Sequence, residues 1–276
     1  MNKLRTLNKT VVHGIQSFRK LLVYNREYAP FLPYQPRHDD LYIVSYPGSG
    51  VTWLCTIIAN INIIKSGLDH PVTFYNYKKY VPDINTTRHI YDLTTTYPGY
   101  RIIKSHSVAN PHYKSVIYLV RNPVSVMKAY YEFSQYNANY KGNFVNFIKD
   151  NHSGINVWAN HVRSWLKEPA LDLHLLTFED LRRDTATELL ILFKNIGLNV
   201  ESEILNKAIE LSSLENMKQS ESDFKMNNPG YNFNFIREGR LMGEINSEAK
   251  KIIRNATLDI YEEILYSKYK KDFTQI

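Results

Sequence analysis

The chain has 276 residues, a hydrophobic fraction of 43% and a formal net charge of +7. This length and composition exclude an intrinsically disordered chain and are enough for one elaborated α/β domain or two small ones. The single cysteine excludes an internal disulfide framework and fits a reducing compartment. No apolar run approaches the roughly 20 residues that span a bilayer, and the basic N-terminus lacks a signal-peptide core. We therefore expect a cytoplasmic protein.

The positive charge is compatible with nucleic acid, an anionic membrane or a polyanionic small ligand. The 21 tyrosines are scattered instead of forming an RNA-binding signature. We expect no nucleic-acid partner and no membrane partner.

The predicted elements begin with an N-terminal arm over residues 1–36 and a first strand over 41–46. A Pro-Gly-Ser-Gly turn at 47–50 leads into an apolar helix that ends near Gly67. Residues 68–99 form a long, Tyr-rich stretch without periodicity, which is typical of functional loops. The remaining predicted strands cover 100–104, 115–120 and 171–177. The remaining predicted helices begin at Asn122-Pro123 and cover 143–150, 155–167, 179–196, 201–212 and 246–268.

Short apolar strands that alternate with helices predict a single-domain α/β fold. We expect three P-loop-like layers in which helices flank a central parallel sheet. Ligands of such sheets bind beyond the carboxyl ends of the strands. Because residues 47–52, 105–107 and 121–122 each follow a strand, they should converge on one crevice.

The glycine turn at 47–50 predicts a phosphate site, because its backbone N–H groups and the following helix dipole point at one place. The lysine of the nucleotidase P-loop is missing, and no Mg²⁺-binding Asp is evident after a buried strand. Both observations argue against a kinase or NTPase. Trp53 at the start of the helix could stack on a purine or fill the core, and the Thr52 hydroxyl could donate to a phosphate.

Two further motifs follow strands. In Lys104-Ser105-His106, the histidine suits general-base work near neutral pH and the lysine suits a charged leaving oxygen. Arg121 stands next to a helix N-terminus, where a guanidinium and an anion meet favourably. A purely structural role is the alternative for each. His161 competes as base, but its place in an amphipathic helix favours packing, and Cys55 is expected to be a packed thiol.

Taken in order over residues 37–245, these motifs resemble the PAPS-dependent sulfotransferase superfamily. The matching segments are Asp39-Asp40, Val44-Ser-Tyr-Pro-Gly-Ser-Gly-Val-Thr-Trp53, Arg101-Ile-Ile-Lys-Ser-His106, Val116-Ile-Tyr-Leu-Val-Arg-Asn-Pro123 with Tyr130-Tyr131, Trp158-Ala-Asn-His-Val-Arg-Ser-Trp165, Phe178-Glu-Asp-Leu181, Ser212-Ser-Leu-Glu-Asn-Met-Lys218 and Phe235-Ile-Arg-Glu-Gly239.

The resemblance implies an enzyme that moves the sulfuryl group of PAPS (3′-phosphoadenosine 5′-phosphosulfate) to a hydroxyl or nitrogen of a small-molecule acceptor and releases PAP, without a metal. It implies that His106 is the general base and that Lys104 stabilises charge on the transferred group and leaving phosphate. The implied nucleotide-binding residues are Gly48, Ser49, Gly50, Val51 and Thr52 at the 5′-phosphosulfate, Trp53, Phe178 and Leu214 at the adenine, Ser212 as a polar contact, and Arg121, Arg237, Gly239 and Arg240 at the 3′-phosphate.

The chain departs from the family pattern at four of these motifs. Gly48 replaces a lysine, Ala129 replaces a serine, Glu238 interrupts the 3′-phosphate motif and Leu214 replaces an aromatic ring. A PAPS- or PAP-binding protein with weak or no turnover is therefore the alternative function. We expect the acceptor pocket to be built from residues 68–99, the stretch Tyr136–Tyr140 and a loop at 219–235. The acceptor, the choice between oxygen and nitrogen, and the oligomeric state stay open.

Overall fold

The protein is built around a parallel sheet, as seen in a computed structural model. The model describes residues 31–33, 35–68, 70, 72–86, 100–167, 172–231, 233–236 and 245–260. The strands of the sheet are β1 (Asp40–Ser45), β2 (Arg101–Ser105), β3 (Ser115–Val120) and β4 (Asp172–Thr177), in the order β2-β1-β3-β4. Every pairing in this sheet is parallel, so the carboxyl ends of all four strands lie at one edge. The predicted three-layer α/β fold is confirmed.

Helices cover both faces of the sheet. They are α1 (Val51–Lys65), α2 (Pro123–Asn137), α3 (Phe144–Ile148), α4 (Ile155–Leu166), α5 (Phe178–Arg183), α6 (Thr185–Asn195), α7 (Ser202–Leu211), α8 (Leu214–Asn227) and α9 (Ser247–Ile260), and a short 3-10 helix covers Tyr77–Lys79. None of the helices within the described ranges has the length and apolarity needed to cross a bilayer.

The sheet separates two apolar cores because successive strand residues point to opposite faces. In β1, Leu41 and Ile43 pack on the side of α1, α6 and α7. Tyr42 and Val44 pack on the side of α2, α3, α4 and α9. Burial on both faces explains why these strands are apolar runs without polar alternation.

The predicted ends of two helices are confirmed in atomic detail. The Asn122 side chain accepts hydrogen bonds from the backbone N–H groups of Val124 and Ser125, and Pro123 is the first helical residue of α2. Helix α1 ends at Lys65, and Gly67 follows with a φ of 66°, closing a Schellman motif through the N–H groups of Gly67 and Leu68.

Two predictions about helices are wrong. The helix predicted over 179–196 is divided at Asp184, whose carboxylate accepts from the Thr187 N–H and so begins the separate helix α6. The loop predicted over 219–235 is helical as far as Asn227, as part of α8. Only Met217 and Glu221 are buried in α8, so this helix has no apolar stripe to reveal it. Residues 1–30 of the predicted arm and the predicted helix beyond residue 260 lie outside the described residues.

Candidate active site

The residues that follow β1, β2 and β3 lie close together, as predicted from the sequence. Arg121, which follows β3, donates from Nη1 to the carbonyl oxygen of Gly48 over 3.1 Å. His106, which follows β2, contacts the Ser45 carbonyl at the end of β1 over 2.6 Å. Residues from the three predicted segments therefore surround the glycine turn.

The glycine turn has a backbone that requires glycine at two positions. Gly48 and Gly50 have φ values of 89° and 87°, where other residues are strained. A Cβ on Gly50 would come within 2.5 Å of the Phe178 ring. The turn thus depends on both glycines for its shape and for its close contact with Phe178.

The turn presents polar groups that suit an anion. Gly50 is the N-cap of α1 and provides no side-chain cap for the first N–H groups of this helix. The Ser49 hydroxyl is buried and has no hydrogen-bond partner among the described residues. A phosphate oxygen at this place would satisfy such donors, so the turn fits the group that the sequence predicts.

Two of the departures from the family pattern lie against each other. A Cβ on Gly48 would stand 3.5 Å from the Ala129 Cβ of α2 and 3.1 Å from the Val126 carbonyl oxygen. The absence of a side chain at position 48 therefore lets the turn pack directly onto α2.

Trp53 and Phe178 form an aromatic corner beside the turn. Their rings meet edge to face with centroids 6.0 Å apart. The Arg121 guanidinium carbon lies 4.3 Å from the centroid of the Phe178 ring, a cation–π contact. The residues predicted to line an adenine and a 3′-phosphate are thus brought together here, although Arg237, Gly239 and Arg240 lie outside the described residues.

Ser212 is hydrogen-bonded to Trp53 of this aromatic corner. It is fully buried, its carbonyl oxygen accepts from the Trp53 indole N–H over 3.0 Å, and its hydroxyl accepts from Asn60 over 3.0 Å. Ser212 thereby fixes the orientation of Trp53. Leu214 begins α8 two residues later, and 39% of its surface is exposed.

His106 is held in one tautomer. Because its Nδ1 lies 2.6 Å from the Ser45 carbonyl oxygen, Nδ1 carries the proton and Nε2 is the basic nitrogen. Its backbone N–H donates to Asn85 Oδ1 over 2.9 Å. Burial and the nearby charge of Lys104 lower the pKa of His106 to about 4. The imidazole is therefore neutral at pH 7 and can accept a proton at Nε2.

Lys104 lies in a buried ion pair that the sequence did not reveal. Its Nζ stands 2.9 Å from Asp83 Oδ2 and 3.3 Å from the Tyr77 hydroxyl. Burial disfavours the ammonium, but its interactions with Tyr77 and Asp83 outweigh burial and raise the pKa of Lys104 above its ordinary value. Lys104 is thus a charged group at the carboxyl end of β2.

Glu221 is a second buried carboxylate that sequence reasoning missed. Its oxygens accept from the backbone N–H groups of Phe235, over 2.6 Å, and of Ile236, over 3.1 Å. These bonds tie α8 to the segment that leads into Arg237. No apolar pattern or motif in the sequence marks this contact.

A cluster of nine aromatic rings, the aromatic cluster, reaches Lys104 through Tyr77, whose hydroxyl lies 3.3 Å from Lys104 Nζ. The closest pairs are Tyr75 with Phe224 at 3.6 Å, Phe74 with Phe235 at 4.4 Å and Tyr136 with Phe233 at 4.8 Å. The cluster joins the three segments predicted to form the acceptor pocket. Its members are Phe74, Tyr75, Tyr77, Phe133, Tyr136, Phe224, Tyr231, Phe233 and Phe235.

Other candidate groups are structural. Tyr140 packs on Tyr131 and Phe147, away from the aromatic cluster. His161 is buried with Nδ1 3.0 Å from the Tyr118 hydroxyl, and burial lowers its pKa to about 3. Cys55 is fully buried, which raises the pKa of its thiol to about 12. Within the described ranges, no group of three acidic, His or Cys side chains is placed to hold a metal ion.

The comparisons with known proteins agree with this geometry. A family model described as "Sulfotransferase domain" matches residues 38–255. Sulfotransferase 2A6 of Rattus norvegicus is 28% identical over 227 residues, which cover 74% of this chain and 76% of the relative. Sulfotransferase 1E1 of Cavia porcellus is 27% identical over 94% of this chain and 90% of its own length.

Solved structures show the same fold. Mouse sulfotransferase SULT7A1 complexed with PAP superposes with a TM-score of 0.62 at 17% identity, covering 87% of this chain and 89% of that one. Retinol dehydratase in a complex with retinol and PAP gives a TM-score of 0.62 at 16% identity, with 87% and 86% covered.

Proposed function

Because this chain belongs to the sulfotransferase domain family and is a sulfotransferase, we propose that it transfers the sulfuryl group of PAPS to a small-molecule acceptor with His106 as general base. The presence of PAP in the SULT7A1 and retinol dehydratase structures supports this donor. The retinol in the second of these supports a small-molecule acceptor.

The nucleotide is proposed to lie across the glycine turn. Residues 48–52 would hold the 5′-phosphosulfate, Trp53 and Phe178 would line the adenine, and Arg121 would bind the 3′-phosphate. The buried Ser49 hydroxyl and the uncapped start of α1 support the first of these assignments. Arg237, Gly239 and Arg240 are assigned to the 3′-phosphate by their motif alone.

The observation that carries the proposal is the placement of His106 on the Ser45 carbonyl. Ser45 ends the same strand that continues into the glycine turn, so one strand positions both the base and the phosphate site. Nε2 of His106 takes the proton of the acceptor hydroxyl or amine. The acceptor atom then bonds to sulfur as the bond from sulfur to the 5′-phosphate oxygen breaks.

PAPS supplies the activated sulfuryl group, and the protein supplies position and charge. The Lys104 ammonium is proposed to offset negative charge on the transferred group and leaving phosphate. Phosphoryl transfer makes similar demands, since most of its catalysis is positioning and charge stabilisation. The aromatic cluster is proposed to form the wall of the acceptor site.

The second candidate is a PAP- or PAPS-binding protein with weak or no turnover, which the departures at Gly48 and Ala129 favour. Thermal unfolding with and without PAP tests what the two candidates share. At 100 times its Kd a ligand stabilises the native state by about 2.7 kcal/mol, or roughly 5 to 10 °C in Tm. Stabilisation by ATP with Mg²⁺ and not by PAP would contradict both.

Turnover separates the two candidates. PAPS is incubated with phenols, alcohols, amines and polar natural products, and sulfated products are detected by mass spectrometry. His106→Ala is expected to lose product formation while retaining stabilisation by PAP. His152→Ala, which removes an exposed histidine, is the matched control and should keep wild-type turnover. A fully active His106→Ala enzyme would show that the base is another group.

A further inference from the structure

We infer that Asp83 is a positioning residue for Lys104, and that its carboxylate holds the ammonium at the carboxyl end of β2 where sulfuryl transfer needs positive charge. The inference rests on the proposed function and adds a residue to it. Asp83 lies in the Tyr-rich stretch, outside every motif that resembles the family pattern.

The position of Asp83 is fixed by backbone hydrogen bonds between its neighbouring residues and β2. The N–H of Lys104 donates to the Pro82 carbonyl oxygen over 2.8 Å, and the N–H of Ile84 donates to the Lys104 carbonyl oxygen over 2.9 Å. Residues 82–84 thereby add a short parallel bridge to the outer edge of β2. Asp83 Oδ1 also accepts from the Asn85 N–H over 3.0 Å. Oδ2 is left to the Lys104 ammonium.

The ion pair is buried on both sides, since the side chains of Lys104 and Asp83 are 8% and 5% exposed. An ammonium has three N–H donors. Asp83 and Tyr77 accept two of them, and the third has no partner among the described residues. This third donor is the one that the proposed reaction uses.

The glycine at position 48 increases the dependence of the proposed reaction on the ion pair between Lys104 and Asp83. The family pattern has a lysine in the turn, and this chain has none at that position, so Lys104 carries more of the leaving-group charge. A buried lysine without a counter-ion loses its proton readily. The charged or titratable groups that face Lys104 are Asp83, Tyr77, Cys55 and His106. Of these four, Asp83 alone is negative at neutral pH.

Asp83→Asn is the test, with kcat measured against pH. Because Lys104 must be protonated, we expect the alkaline decline of kcat to move to lower pH by about two units. The KM for PAPS should change less than kcat. Asp83→Glu keeps the charge but displaces it, so kcat should fall without movement of the alkaline decline.

The matched control is Asp40→Asn. Asp40 forms an equally buried pair with Arg101, at 3% exposure on both sides, at the other end of β1 and β2. We expect a comparable loss of Tm without movement of the pH profile. Movement of equal size in Asp40→Asn, or an Asp83→Asn profile that superposes on the wild type, would overturn the inference. If Asp83→Asn does not fold, wild-type kcat at every pH in Asp83→Glu would overturn it.

Failure of the proposed function can be distinguished from failure of the inference about Asp83. Absence of PAPS turnover in the wild type would refute sulfuryl transfer and, with it, the catalytic use of the pair. ¹⁵N NMR of the lysine Nζ groups, with Lys104 assigned from Lys104→Arg, then follows the pair directly. Lys104 should deprotonate at lower pH in Asp83→Asn than in the wild type. Identical titration in an active enzyme would refute the inference alone.

Discussion

Substitution of Gly48 by lysine is expected to lower the folding stability of this protein. Gly48 has a φ of 89°, and a non-glycine residue in the left-handed region costs about 1–2 kcal/mol. Its Cβ would also stand 3.1 Å from the Val126 carbonyl oxygen, and forcing apart a packed contact costs about 1–2 kcal/mol more. Gly48→Lys should therefore lose about 2 to 4 kcal/mol of folding stability, which corresponds to roughly 4 to 16 °C in Tm.

Gly67→Lys is the control, because it separates strain from contact. Gly67 also has positive φ, at 66°, but a Cβ there meets nothing within 4 Å. Thermal unfolding of both variants, together with PAPS turnover, measures the difference. Gly67→Lys should lose only the strain component and keep its turnover. A Gly48→Lys variant that is no less stable than Gly67→Lys and has a higher kcat would refute this reasoning.

Two further predictions concern His106 and Glu221. Since burial and Lys104 lower the pKa of His106 to about 4, kcat/KM should show no inflection near pH 6.5 and should fall as pH drops through about 4. The same lowered pKa makes folding stability depend on pH, because the folded protein favours neutral His106. This stabilisation is complete above about pH 6.5 and is lost as the pH falls towards 4. An inflection of kcat/KM near pH 6.5 would contradict the assignment of His106 as the base. Glu221→Ala leaves the N–H groups of Phe235 and Ile236 without their acceptor, so the Kd for PAP should rise roughly tenfold. Asp223→Asn, on the exposed face of α8, is the control, and an unchanged Kd in Glu221→Ala would show that the segment holds its position without this carboxylate.

The sheet could be predicted because its strands are short apolar runs between helices. Burial on both faces gives β1 and β3 an unbroken apolar character, and parallel order brings their following residues together. Helix α8 could not be predicted in this way. It buries only Met217 and Glu221, so its sequence has no periodic apolar face.

The positions of the candidate residues that follow strands could be predicted, but the residues that hydrogen-bond to them could not. Lys104, His106 and Arg121 each stand directly after or at the end of a strand. Asp83 comes from a stretch without periodicity, 21 residues before its partner. The hydroxyl of Ser212 accepts from Asn60, 152 residues away, so only the folded chain shows that it supports Trp53. Contacts of this kind depend on tertiary packing, for which a single sequence provides no local signal.

Two of the four departures from the family pattern, Gly48 and Ala129, lie next to each other in this structure. A Cβ on Gly48 would stand 3.5 Å from the Ala129 Cβ and 3.1 Å from the Val126 carbonyl oxygen, so a lysine at position 48 would crowd α2. Close packing of the turn therefore replaces a cationic side chain at position 48. In the proposed reaction the positive charge must then come from Lys104, which is buried and can remain charged only beside a counter-ion. On the proposed function, the ion pair between Lys104 and Asp83 supplies the positive charge that a glycine at position 48 cannot provide.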